Sequence, residues 1–90
     1  MRTIGRLANG IAASAGADNA HAESLAGQME PAWRPIEGTV KENDPDAYLS
    51  MKDSFAVLER AAQNGDGTAA GNGARSVTST VQEYLARYPG

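Results

Sequence analysis

There is no cysteine in this 90-residue chain. That absence excludes a disulfide, a thiol nucleophile and a cysteine-ligated zinc. There is also only one histidine, His21, so the commonest general base and neutral metal ligand is nearly missing. His21 stands near an apolar edge, four residues before Leu25, with no Ser or Cys partner at a recognised spacing. No apolar stretch approaches the roughly 18–20 residues needed to cross a membrane. The glycine-rich "NGDGTAAGNG" follows no strand and lacks the lysine of a phosphate loop, so it reads as a turn and a weak helix start. A nucleophile or a fixed acid–base pair is not found, and the residues predict a protein that is not an enzyme.

Charge is unevenly spread. The net charge is −3, but residues 1–17 carry Arg2 and Arg6 and no acid, whereas residues 18–64 carry nine acids against Arg34, Lys41, Lys52 and Arg60. An acidic body does not suit nucleic acid, whose phosphates demand a basic face. Hydrophobic residues make up 41 %, enough for a folded chain. One domain of this length buries only about 60 % of its unfolded surface, so the core is thin.

The N-terminal "MRTIGRLANGIAASAGADNAHA" has two arginines followed by A-x-A patterns, as a signal peptide would. Asn9 and Gly10 interrupt what should be an apolar run of about 7–15 residues. An amphipathic helix with Ile4, Leu7, Ala8 and Ile11 on one side is expected instead; a third reading makes the chain the tail of a longer protein. Residues 1–17 are therefore treated as an arm or short helix, and 18–90 as a helical bundle.

From 18 onward the apolar spacing is helical. Asp18 or Asn19 caps a helix whose stripe runs through Ala22, Leu25, Met29, Trp33, Ile36 and Val40. Pro31 and Pro35 fall inside it. A proline lacks the N–H and clashes with the carbonyl four residues back, yet the first four N–H groups of a helix have no internal partner. Both prolines thus fit a fresh helix start, which predicts a break near Pro31 between two collinear halves. A continuous, kinked helix is the alternative. "ENDPDAY" then places Asn43 or Asp44 as cap and Pro45 at the first helical position, followed by a stripe of Tyr48, Met51, Phe55, Leu58 and Ala62. Asn64 and Gly65 end that helix. Asp66 caps a last one, weak at first because each glycine costs about 1 kcal/mol, then carrying Val77, Val81, Tyr84 and Leu85. Short connections make consecutive helices antiparallel. The fold expected is all-α: an up-down-up bundle of three main helices, the first broken near Pro31, with a short fourth helix at the N-terminus.

Three sets of residues could carry function. Glu23, Glu30 and Glu37 recur every seven residues, along one stripe of a straight helix, and the next helix offers Asp53 and Glu59. Carboxylates on facing helices hold metals in bundles, so Glu37, Glu30, His21 and Asp53 are the candidate metal ligands. The plain alternative is a solvated face with Glu30–Arg34 and Glu37–Lys41 pairs. Glu42, Asp44 and Asp46 lack the ordered series of a calcium loop; capping explains them. Trp33, Tyr84 and Tyr88 are candidates for contact with a partner, although aromatics at helical spacing are also what a core requires. An apolar patch around Tyr84, Leu85 and Tyr88 would suit a partner helix or a homo-oligomer.

The block "MEPAWRPIEGTVKENDPDAYLSMKDSFAVLE" is similar to soluble helical segments of bacterial iron-uptake proteins, namely the extracytoplasmic parts of high-affinity iron permeases and their imelysin-like partners. Trp33-x-x-Ile36-Glu37-Gly38, Asp44-Pro45 and the helix from Tyr48 to Phe55 carry the resemblance. It implies a helical bundle, an extracytoplasmic place, iron as the metal, and Glu37, then Glu30, as the carboxylates that handle it. The imelysin-type His-x-x-Glu is not present at His21. Two functions follow: a non-catalytic interaction module that packs on a partner or a parent chain within iron uptake, or a carboxylate-based metal-binding bundle.

Overall fold

The computed structural model describes residues 1–89. Four helices account for nearly all of them: α1 (Arg2–Ser14), α2 (Asn19–Asn43), α3 (Pro45–Asn64) and α4 (Gly67–Arg87). No strand is present among the described residues. Each helix packs on its neighbours in a closed ring, α1 on α2, α2 on α3, α3 on α4 and α4 back on α1, with slight contact across the α1–α3 diagonal. The all-α bundle expected from the sequence is therefore present. Its arrangement differs in detail: the short N-terminal helix α1, 13 residues long, is one wall of a four-helix ring. Ile4, Leu7, Ala8 and Ile11 are all buried in the common core, as the α1 stripe predicts, and they close the face that α2 and α4 would otherwise expose.

The break expected near Pro31 does not occur. Helix α2 runs unbroken through Pro31 and Pro35. At about 1.5 Å per residue its length matches the long dimension of the molecule, 36 Å. Pro31 and Pro35 are exposed, and Gly27 and Gly38 lie on the same outward stripe. The carbonyls of Gly27 and Pro31, which lose their N–H partners, thus stand on the exposed side of the helix, within reach of solvent. On the dry side Met29, Trp33 and Val40 are buried. Tertiary packing of that side outweighs the local cost of two prolines.

Two turns close one end of the bundle. Gly16 (φ 87°) and Gly65 (φ 66°) adopt the left-handed conformation that non-glycine residues avoid. Asn19 Oδ1 accepts from the Gly16 N–H at 3.0 Å, and the Asp66 N–H donates to the Ala61 carbonyl at 2.9 Å, the closing bond of a helix C-terminus. At the other end a single residue, Asp44, separates α2 from α3. Its N–H donates to the Val40 carbonyl at 2.8 Å, ending α2. Its side chain accepts from the Ala47 N–H at 3.1 Å, starting α3. Pro45 occupies the first turn, where its missing N–H costs nothing.

Helices α3 and α4 meet along small and hydroxylic residues. Ser50 Oγ lies 3.0 Å from Thr80 Oγ1, Ser54 Oγ donates to Ser76 Oγ at 2.8 Å, and a side chain on Gly73 would meet Leu58 Cγ at 3.0 Å. As the α3 number rises the α4 number falls by a matching step, which is antiparallel register. Thr80 Oγ1 also donates to the Ser76 carbonyl at 2.9 Å, and no buried side-chain polar atom lacks a partner among the described residues.

The glycines of α4 should separate by environment. A Cβ at Gly71 meets nothing within 4 Å, so Gly71→Ala should add about 1 kcal/mol of stability. At Gly73 the added methyl presses on Leu58, which is fully buried and cannot yield; Gly73→Ala should lose about 1 kcal/mol. Urea unfolding of the two variants reads the difference. In the same assay Pro31→Ala, which restores the bond to the Gly27 carbonyl on an exposed face, should gain about 2 kcal/mol.

Candidate functional site

The groove between α2 and α3 holds most of the chemistry-bearing side chains. Its floor is aromatic at one end. Trp33 meets Phe55 edge-on, with centroids 5.4 Å apart and planes at 88°, and stacks near Tyr48 at 6.2 Å and 25°. Lys41 and Lys52 place their ammonium groups 5.3 and 5.5 Å from the Tyr48 ring centroid, within cation–π range. At the other end the floor is small, Ala26 and Ala62, with Gly27 at the outer edge.

Carboxylates stand on the rims. The seven-residue spacing of Glu23, Glu30 and Glu37 sets them along α2 two turns apart, and Glu59 faces them from α3. Glu30 and Glu59 border both the aromatic and the small-residue ends, so the two ends form one continuous groove. The single salt bridge among the described residues joins Arg87 Nη1 to Asp44 Oδ2 at 3.3 Å. The expected Glu30–Arg34 and Glu37–Lys41 pairs are therefore not made. Exposed pairs of this type contribute only a few tenths of a kcal/mol, less than Lys41 gains over the half-buried Tyr48 ring.

Of the candidate ligands, Glu30 and Glu37 are brought to this groove and the other two are not. His21 is exposed in the first turn of α2, where its backbone N–H donates to Asp18 Oδ1 at 3.2 Å. Asp53 is exposed on the outside of α3. Among the described residues no three His, Asp or Glu side chains gather into a set that could hold a metal ion. Away from the groove, the Met1 amine is held below its ordinary pKa by partial burial first and by Arg2 second.

The aromatic candidates for partner contact require correction. Trp33 is 1 % exposed and Tyr84 5 %; both are core side chains because the helical spacing that groups them points them inward. Tyr88 is 38 % exposed and is tethered, stacking on Tyr84 at 5.0 Å and donating its hydroxyl to the Asn43 carbonyl at 2.8 Å. Asn43 Nδ2 in turn donates to Tyr84 Oη at 3.0 Å. This polar clasp across the end of the bundle was not foreseen. Nor was the hydroxyl seam of α3 and α4, although serine and threonine four residues apart, at 50 and 54 and again at 76 and 80, signal it.

No protein-family model, curated protein or solved structure matches the chain.

The rim carboxylates hold no partner among the described residues. Replacing Glu30 and Glu59 together by Gln should leave the unfolding free energy within about 0.5 kcal/mol of the parent, as read by urea denaturation. A larger loss would mean that they hold the helices together.

Proposed function

We propose that the chain is a non-catalytic helical interaction module, an extracytoplasmic accessory of bacterial iron uptake that docks on a protein partner or parent chain. One observation carries this reading. The residues that resemble iron-uptake proteins divide by role: Trp33, Ile36, Asp44, Pro45, Tyr48 and Phe55 build the α2–α3 pair, while Glu30 and Glu37 from the same block remain unpaired on its open groove. The resembling pattern thus encodes a two-helix unit with a free acidic rim. A buried nucleophile or base is no part of it.

A carboxylate-based metal-binding bundle is the second reading: Glu30, Glu37 and Glu59 line one groove, although they do not gather into a ligand set among the described residues. Carboxylate oxygens suit hard cations and iron. His21 and Asp53, lying elsewhere, take no part in it.

Calorimetric titration separates the two. The interaction module should bind the extracytoplasmic region of a high-affinity iron permease, or an imelysin-like protein encoded beside it, saturably and without added metal. Heat absent from both titrations removes that reading. Ferrous, ferric and zinc ions titrated into the metal-free chain test the second: saturable binding at micromolar metal, abolished by Glu30→Gln with Glu59→Gln, supports it, and its absence removes it.

A further inference from the structure

Helix α3 turns one face to solvent that no other helix of the bundle covers. Helix α2 packs on the side bearing Tyr48 and Phe55, and α4 on the side bearing Ser50, Ser54 and Leu58. Between these sides, outermost, lie Leu49, Asp53, Ala56 and Arg60, with Val57 on the flank toward α4. Leu49 is 58 % exposed and Val57 41 %; with Tyr88 they are the exposed large hydrophobics among the described residues. Asp53 and Arg60 are seven residues apart, two turns along one line, and both are exposed and form no ion pair among the described residues.

We propose that this face joins two copies of the chain, α3 against α3, antiparallel about a two-fold axis passing between Ala56 and Val57. From that point Asp53 lies three and a half residues toward one end, about 5 Å, and Arg60 the same distance toward the other. The two-fold therefore sets Asp53 of each copy opposite Arg60 of the other. Two intermolecular ion pairs bracket Ala56 and Val57, and the small Ala56 lets the helix backbones approach. The competing register, which would pair Leu49 with Val57, brings Asp53 onto Asp53 and is opposed by like-charge repulsion. An isologous contact of this kind closes at two copies and leaves no open end. One helix-on-helix contact falls at the low end of interface sizes, below about 1,200 Å², so the dimer is weak and forms with rising concentration. Ala56 also borders the aromatic end of the α2–α3 groove, so the second copy stands along the α3 rim of that groove, while its small-residue end stays clear. The pairing deepens the interaction-module reading but does not depend on any iron-uptake partner.

Sedimentation equilibrium of the full chain from micromolar to millimolar concentration tests the pairing. The mass should rise from 9.4 kDa toward twice that value. Arg60→Glu or Asp53→Arg alone should weaken association by at least about tenfold. The double exchange Asp53→Arg with Arg60→Asp should restore it, because the two-fold merely inverts both pairs. Circular dichroism melts should be unchanged in all three, since neither residue has a partner within the bundle. A parent chain that stays monomeric throughout, an association that Arg60→Glu leaves intact, or a double exchange that fails to restore it would each overturn the proposal. A monomer that still bound the permease region would defeat the dimer and leave the proposed function standing.

Discussion

Everything in the α2–α3 half of the bundle depends on a corner one residue long. Asp44 ends one helix with its N–H, starts the next with one carboxylate oxygen and holds Arg87 with the other. A longer linker would let α2 and α3 slide along one another. A single residue fixes their stagger, and that stagger brings Trp33 level with Phe55 and Tyr48. The rims of the groove inherit the same register, so Glu59 faces the Glu30 stretch of α2. Asn43, Tyr84 and Tyr88 clasp the corner to the end of α4, and the fourth wall is locked to the same reference point. Capping, usually counted as a local contribution of about 1 kcal/mol, here sets long-range geometry.

Much of this was legible in the residues. "DPD" announces the corner, and the step of three or four between Met51, Phe55 and Leu58 gives the buried side of α3. The stripe of α1 was equally plain, yet whether it would join the ring was not: amphipathicity tells which face wants cover and not which helix provides it. Pro31 misled for a related reason. Local rules weigh the lost hydrogen bonds, whereas the outcome turned on Trp33 and Met29 burying their side chains on the far side of the same helix. Aromatic spacing put Trp33 and Tyr84 on the packing stripes, and the core reading of them holds over partner contact because those stripes face inward. The metal candidates divided along the same line. Glu30 and Glu37 share a stripe that meets α3; His21 lies beyond the end of the groove, and Asp53 points away from it, which a count of heptads on α2 alone does not reveal.

The two long seams of the molecule use different physics. Between α2 and α3 the contact is aromatic and bulky, and it leaves a furrow bordered by unneutralised carboxylates. Between α3 and α4 the contact is close and hydroxylic, made possible by Gly73 and the alanines around it. Small residues let backbones approach, and hydroxyl groups there satisfy one another, so specificity of alignment comes from matched pairs more than from volume. The bundle thereby has one tight side and one furrowed, acid-rimmed side, an asymmetry that net charge alone would not suggest.

The two missing amide donors of α2 carry a consequence for how the chain acquires its shape. A segment with rungs absent at 31 and 35 cannot hold itself as a rod in water, because short helices are marginal even with every rung in place. Its order comes from packing on both neighbours, α1 and α3, with Phe55 set edge-on against Trp33. The helical state of 19–43 is thus conditional on its neighbours, and the same stretch as a free peptide would be largely coil in water.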